Sequence, residues 1–142
     1  MTRKDVELWE MARDYAEQID RDSKLNPATD TIQIVVVEPM KTPYKKEIPN
    51  KLESFQELVD GYIEIINIGK TETGGHLAMT VNEEGKLRDM AFNKKINGRN
   101  GSELIVGTFF ITAYNMQGDN VTLTDDECNW LIKRFKGMEV YL

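Results

Sequence analysis

The run TIQIVVVE, from Thr31 to Glu38, constrains the fold more than any other part of the sequence. It is β-branched almost throughout and ends at Pro39. β-branched residues favour strands, and a run without regular polar alternation is typical of a strand buried on both faces. A second such run, LIVGTFFITAY, extends from Leu104 to Tyr114. We therefore predict two buried strands, with a bulge or a close approach at Gly107 in the second.

Turn residues divide much of the remaining chain into shorter strands. Pro43 and Pro49 restrict the segment between them to a short edge strand around residues 45–48. Apolar patterns separated by polar, glycine-containing turns predict three further strands, at Tyr62–Ile68, His76–Val81 and Leu87–Phe92. The longest polar segment, NKKINGRNG, covers residues 93–101, and we predict a loop there.

Two helices are predicted within the same region. The first begins after Asn50 as N-cap and ends at Gly61. Its inward side chains are Leu52, Phe55, Leu58 and Val59. The second opens with a capping box, in which Thr124 and Glu127 satisfy each other's backbone N–H groups. Its apolar side consists of Cys128, Leu131, Ile132 and Phe135. The pattern of residues 31–142 thus predicts an α+β core domain. It would consist of a mostly antiparallel sheet of about five strands with helices packed on one face.

Residues 1–30 add an N-terminal amphipathic helix and a polar loop to this core. Thr2 and Asp5 suit the start of a helix, and apolar residues then recur at three- and four-residue spacing. Trp9 and Tyr15 lie on this apolar stripe. Two roles stay open for the aromatic pair: covering the domain's own core, or docking onto a second chain, since aromatic side chains dominate interface energetics.

Composition excludes several classes of function. Eighteen basic residues against twenty-four acidic ones leave a formal charge of −6, which disfavours general binding to nucleic acid or anionic membranes. No apolar run reaches the length of a membrane span, and the N-terminus is too charged for a signal peptide. A single cysteine rules out an intramolecular disulfide. We expect a soluble, cytoplasmic protein.

Residue types that carry catalysis occur here without partners. His76 is the only histidine, and the sequence places no nucleophile or orienting carboxylate beside it. Cys128 follows three acidic residues, whose charges disfavour a thiolate. The Gly69–Thr71 segment resembles the end of a phosphate-binding loop, but Glu64 stands where that motif requires its first glycine. We expect no enzyme, no metal and no cofactor; a site assembled from scattered carboxylates is the enzymatic alternative.

The polar 93–101 segment is the first candidate binding surface. Loops presented by a rigid sheet often carry binding residues. Basic side chains there suit a phosphate or an acidic partner, although a solvated loop is the plainer interpretation. The candidate residues are Asn93, Lys94, Lys95, Asn97 and Arg99.

Several short segments, taken in order, resemble one protein family. They are Val36–Pro39, Leu52–Phe55, Gly61–Glu64, Asn82–Leu87, Phe92–Asn93, Gly107–Ile111 and Leu123–Glu127. In these segments the chain resembles domain of unknown function family 3846, small proteins of phages, plasmids and conjugative elements. The resemblance covers about Thr31 to Phe135 and omits the N-terminal helix. It brings no catalytic residues, and implies a setting in which small acidic proteins often inhibit host restriction or CRISPR nucleases.

These observations favour a non-enzymatic, protein-binding accessory protein of a mobile element. Its partner would be a host or element protein, with a host defence nuclease as the leading candidate and anti-CRISPR or anti-restriction inhibition as the activity. The alternative is a small-ligand or nucleotide-binding regulatory domain, which would use the 93–101 segment against the sheet.

Overall fold

A computed structural model describes residues 30–71 and 74–142 of the chain. These residues form nine strands and two helices. The strands are β1 (Thr31–Val37), β2 (Tyr44–Pro49), β3 (Ile63–Lys70), β4 (His76–Asn82), β5 (Phe92–Gly98), β6 (Gly101–Val106), β7 (Phe109–Tyr114), β8 (Asn120–Val121) and β9 (Glu139–Tyr141). The helices are α1 (Leu52–Val59) and α2 (Asp125–Arg134). The predicted N-terminal helix, with Trp9 and Tyr15, lies outside the described residues.

The strands form two sheets. Six of them make the larger sheet, in the order β2-β1-β7-β4-β3, with β8 also paired to β7. All pairs in this sheet are antiparallel. The smaller sheet has the order β6-β5-β9, in which β5 runs antiparallel to β6 and parallel to β9. The predicted α+β class with a mostly antiparallel sheet is confirmed, although nine strands in two sheets replace the expected single sheet of about five.

The second apolar run contributes to both sheets. The prediction of one strand from Leu104 to Tyr114 is wrong, because the chain leaves the smaller sheet after β6 and enters the larger one at β7. Gly107 lies between them with φ of 75°, in the left-handed region that favours glycine. A Cβ atom there would lie 2.7 Å from the Met90 Sδ atom. The predicted close approach at Gly107 is therefore confirmed, as the point where the chain changes sheets.

Two predictions between β4 and β6 are also wrong. Residues 83–89 form turns rather than leading into a strand at Leu87–Phe92. The polar segment predicted as a loop is instead mostly strand β5, which pairs with both β6 and β9. Its polar side chains are compatible with a buried strand because tertiary hydrogen bonds satisfy them, as described below.

The two helices pack on opposite faces of the larger sheet. Side chains of a strand alternate between faces, and in β1 Val35 and Val37 pack into a core with Cys128 and Leu131 of α2 and with the smaller sheet. Apolar side chains on the other face of β1 pack beneath α1; Ile32, Ile34 and Val36 form this second core with Val59 and Phe110. The prediction of helices on one face is wrong, because an uninterrupted apolar strand needs cover on both sides.

The predicted start is confirmed for α2 but not for α1. The capping box of α2 is confirmed: Glu127 N donates to Thr124 Oγ1 at 3.1 Å, and Thr124 N donates to Glu127 Oε1 at 2.9 Å. In α1 the N-cap is Lys51 without a side-chain hydrogen bond, so the assignment of Asn50 as N-cap is wrong. Leu52 is exposed rather than inward. The helix ends through left-handed Asp60 directly before Gly61.

Candidate functional site

Asn93, the first residue of the predicted binding segment, is part of the interior. Its side chain is 2% exposed. The Nδ2 atom donates to Val37 O at 2.9 Å and to Gly107 O at 2.8 Å. The amide thereby joins the end of β1 to the point where the chain changes sheets, while Oδ1 has no hydrogen-bond partner among the described residues. Asn93 holds the two sheets together rather than presenting a polar surface.

Lys94 is also internal. The residue is 4% exposed, and its Nζ atom donates to Gly137 O at 2.7 Å and Lys136 O at 3.4 Å. Both carbonyls lie just beyond the C-terminal end of α2, where a positive charge is favourable. Burial lowers the pKa of the Lys94 ammonium group. This lysine stabilises the end of α2 and is not available to a phosphate.

The other three candidates are more accessible but do not converge. The Lys95 ammonium lies 3.5 Å from the Glu139 carboxylate, and Asn97 donates to Val140 O at 3.4 Å. Both side chains therefore contact β9. Arg99 is exposed in the two-residue turn between β5 and β6. The segment does not form a single basic loop, and an interaction role for Lys95, Asn97 and Arg99 stays a prediction.

The residues considered for catalysis are engaged in packing. The His76 ring stacks on Tyr114 with centroids 5.1 Å apart, and its Nε2 atom lies 3.1 Å from Met116 Sδ. Cys128 is fully buried in the core beneath α2, as predicted. Burial, aided by the nearby Asp125 carboxylate, raises the pKa of its thiol to about 11. Within residues 30–71 and 74–142, no cluster of His, Cys, Asp or Glu is arranged to hold a metal ion.

A groove lies between the larger and the smaller sheet, at the side where β3 and β6 are the outermost strands. We call it the sheet-edge groove; its volume is about 250 Å³. Its lining residues are Glu64, Ile66, Val81, Asn82, Glu83, Gly85, Lys86, Leu87, Glu103, Leu104, Ile105 and Val106. Apolar side chains of the core below α2, including Val81 and Ile105, form its floor. The turn that follows β4 closes one side.

The strands on both sides of this groove have an unpaired edge. In the described part of the chain, β3 hydrogen-bonds only to β4, and β6 only to β5. Each strand therefore leaves backbone N–H and C=O groups along its outer edge without a strand partner. Because these edges border one groove, an additional extended chain could hydrogen-bond to either of them.

Large apolar side chains are exposed around the same edges. Leu87 is 89% exposed and Leu104 is 49% exposed, and both line the sheet-edge groove. Ile65 is 63% exposed. Since alternate residues of a strand point to opposite faces, Ile65 lies on the face of β3 away from Glu64 and Ile66, which line the groove. Strand β3 thus carries apolar surface on both faces.

The groove also has an excess of negative charge. Three glutamates and one lysine lie in its lining. The lysine, Lys86, is paired with Glu103 at 3.0 Å. Glu64 and Glu83 have no ion-pair partner among the residues that the structure describes. A positively charged ligand would therefore be attracted to this groove.

A second cleft lies on the opposite face, between α1 and β2. Its volume is about 550 Å³. The lining mixes apolar and polar side chains, including Leu58, Ser54, Lys46 and Tyr44. Burial and a hydrogen bond to Glu38 raise the pKa of the Tyr44 hydroxyl. The cleft has the size of a small-molecule site, although charged side chains make up more of its lining than in most such sites.

Sequence analysis missed both concave sites. The exposed Leu87 was interpreted as the start of a strand, whereas it stands in a polar turn directly after Gly85 and Lys86. A single apolar residue in such a turn is ordinary, so the sequence alone did not mark Leu87 as part of an exposed apolar group. The convergence of β3 and β6 had no sequence signal, because it depends on the change of sheet at Gly107.

Comparisons with known proteins identify the family of the chain. The sequence model of a family described as Domain of unknown function (DUF3846) matches residues 32–136. All residues that line the sheet-edge groove fall inside this range. Neither the curated proteins nor the solved structures contain a match. In the described residues, neither helix is long and apolar enough to cross a membrane.

Proposed function

This chain belongs to the DUF3846 family, and we propose that it is a non-enzymatic accessory protein that binds another protein through the sheet-edge groove. The observation that carries the proposal is the exposure of Leu87 and Leu104 beside two strand edges that have no partner strand within residues 30–71 and 74–142. Single exposed apolar residues are ordinary. Apolar residues grouped around open strand edges mark interaction sites, because such edges otherwise promote aggregation.

The proposed partner is a host defence nuclease of the restriction or CRISPR type, encountered in the cytoplasm by the product of a mobile element. The family resemblance supplies this setting. The charge of −6 and the acidic groove support it, because enzymes that hold nucleic acid present basic surfaces to the phosphates. Occupation of such a surface by this protein would inhibit the nuclease.

A pair of matched variants tests the proposal. Leu104→Glu places a charge in the groove, while Leu52→Glu changes an equally exposed leucine on α1, outside the groove; their exposures are 49% and 51%. Tagged wild type and both variants are used to capture proteins from host lysate and to inhibit the captured nuclease in vitro. We expect Leu104→Glu alone to lose capture and inhibition by tenfold or more. Equal capture by all three would exclude the groove as the binding face.

A second candidate function is binding of a small ligand or nucleotide. The α1–β2 cleft favours it, since its volume of about 550 Å³ lies within the range of ligand pockets, roughly 300–1,000 Å³. A ligand at a hundred times its dissociation constant stabilises a protein by about 2.7 kcal/mol. A thermal-shift screen against nucleotides would reveal such a ligand, and Tyr44→Phe would reduce the shift. No shift across the panel would count against a nucleotide.

A further inference from the structure

We infer that the sheet-edge groove takes an extended basic segment of the partner, which adds a strand to β3 and alternates basic and apolar side chains. This inference rests on the proposed function and specifies the chemistry of the bound segment. Three features of one edge support it: backbone groups without a strand partner in the described part of the chain, apolar surface on both faces of a strand, and carboxylates without an ion-pair partner there.

The backbone supplies the first argument. Strand β3 has eight residues and an open edge among the described strands. A register shift in its pairing with β4 lies between Asn67 and Gly69, so the regular edge from Ile63 to Asn67 can pair with a partner segment over about 17 Å, at about 3.3 Å per residue. Strand addition to an open edge is a general mode of peptide recognition, in which main-chain hydrogen bonds supply affinity.

The apolar side chains supply the second argument. A strand paired with β3 points alternate side chains to its two faces. On one face they reach the groove floor beside Ile66 and Ile105; on the other they reach Ile65. The basic side chains of the segment would face the groove, with their aliphatic stems over Ile66, and the apolar side chains on the other face would cover Ile65. A helix would leave the edge of β3 unpaired.

Charge supplies the third argument. Glu64 lies on β3 itself, and Glu83 stands directly after β4. Neither has an ion-pair partner in the described ranges. Lysine or arginine side chains of an added strand would contact these carboxylates at the rim, where the attraction depends on salt concentration. An acidic segment would be repelled.

Synthetic peptides test the inference on the full chain. The probe is an eight-residue acetylated and amidated peptide that alternates lysine and valine. The control peptide alternates glutamate and valine. Binding is measured by fluorescence anisotropy at low salt, and the site is located by amide NMR shifts. We expect the lysine peptide to bind at least tenfold more tightly, with shifts concentrated in β3 and β6. Equal affinities, or shifts confined to other elements, would overturn the inference.

Backbone methylation tests strand pairing separately from charge. One further peptide carries N-methyl groups on its lysine amides, and another carries them on its valine amides. Only alternate amides of an added strand face its neighbour, so at least one methylated peptide should lose binding tenfold or more. Unchanged affinity of both would contradict strand addition, even if the lysine peptide binds in the groove.

Charge reversal in the protein completes the test. Glu64→Lys combined with Glu83→Lys should invert the preference in favour of the glutamate peptide. Glu53→Lys combined with Asp126→Lys makes the same change of charge at exposed helix positions outside the groove, and should preserve the preference for lysine. A preference that follows net charge alone, and changes equally in both variants, would contradict recognition by the groove.

The experiments distinguish a failure of the proposed function from a failure of the inferred strand addition. Loss of protein capture by Leu104→Glu without any peptide preference would overturn this inference and leave the proposed function intact. The expected peptide binding with capture unaffected by Leu104→Glu would overturn the proposed function. Concentration-dependent self-association that Leu104→Glu abolishes would identify a second copy of the chain as the occupant, and would contradict a basic partner segment.

Discussion

Asn93 shows how much of the architecture depends on a single side chain. Its two donated hydrogen bonds, to the carbonyls of Val37 and Gly107, connect β1 with the chain's passage between sheets. We expect Asn93→Ala to lower the free energy of unfolding by about 2–4 kcal/mol, because two buried carbonyls lose their donor. Urea denaturation measures this loss. Ser102→Ala, which removes an exposed hydrogen bond to Asn97, is the control and should cost less than about 0.5 kcal/mol. Similar losses in both variants would contradict the structural role of Asn93.

Lys94 gives the protein a pH dependence of defined sign. Burial lowers its pKa in the folded state below the ordinary 10.5. Between the lowered value and 10.5 the unfolded chain binds more protons than the folded one, so this contribution to the free energy of unfolding rises with pH. We expect the stability difference between wild type and Lys94→Met to shift in favour of wild type from about pH 8 to about pH 10. A difference that stays constant, or shifts toward the variant, would show that the ammonium group is not buried.

The polar character of β5 explains why sequence analysis interpreted it as a loop. Asn93 and Lys94 are residue types that are rarely buried. Here their donors meet carbonyls of β1, of the β6–β7 connection and of the residues after α2, all distant in sequence. The sequence around Asn93 and Lys94 does not indicate which distant carbonyl groups will accept their hydrogen bonds. In contrast, the capping box of α2 was predictable because Thr124 and Glu127 satisfy each other within one helical turn.

At the scale of elements, Gly107 decides how the second apolar run is divided. An alanine there would adopt a left-handed φ of 75° and place its Cβ atom 2.7 Å from Met90 Sδ. Gly118 has a similar φ of 84° but no atom within 4 Å of the added Cβ. The backbone cost, about 1–2 kcal/mol, is therefore common to both substitutions.

The difference between the two alanine variants isolates the steric contact. We expect Gly107→Ala to be less stable than Gly118→Ala by about 1–3 kcal/mol, the usual cost of overpacking. Met90→Ala in the Gly107→Ala background should recover part of this difference in urea denaturation. Equal stabilities of the two alanine variants would show that the change of sheet tolerates a side chain.

The two apolar runs differ in how well the sequence predicted their structure. The first run was predictable as a buried strand, since its two apolar faces are both covered in the structure. The second run is also largely apolar but serves two sheets, and hydropathy alone does not distinguish one long strand from two short ones. Gly107 was the only local sign of the break. The apolar residues of the first run exceed what one face can hold, so they required cover on both faces, but the prediction placed the helices on one face.

At the scale of the whole molecule, the two sheets create the candidate binding face where the outer edges of β3 and β6, unpaired among the described strands, lie on the same side. This face joins residues 64–66 to residues 103–106, which are far apart in the chain. Composition alone predicted an acidic protein but not where the acidic residues gather. The groove is therefore a product of topology, and its role depends on the whole domain.

Amide hydrogen exchange of the free chain and of its complex with the captured partner tests the central claim most directly. Binding in the sheet-edge groove would cover the open edges of the two strands and add hydrogen bonds to them. We predict slower exchange in the complex within Ile63–Lys70 and Gly101–Val106, with little change in α1. Protection confined to α1 and β2, with unchanged exchange in β3 and β6, would contradict the account and move the binding face to the opposite side of the sheet.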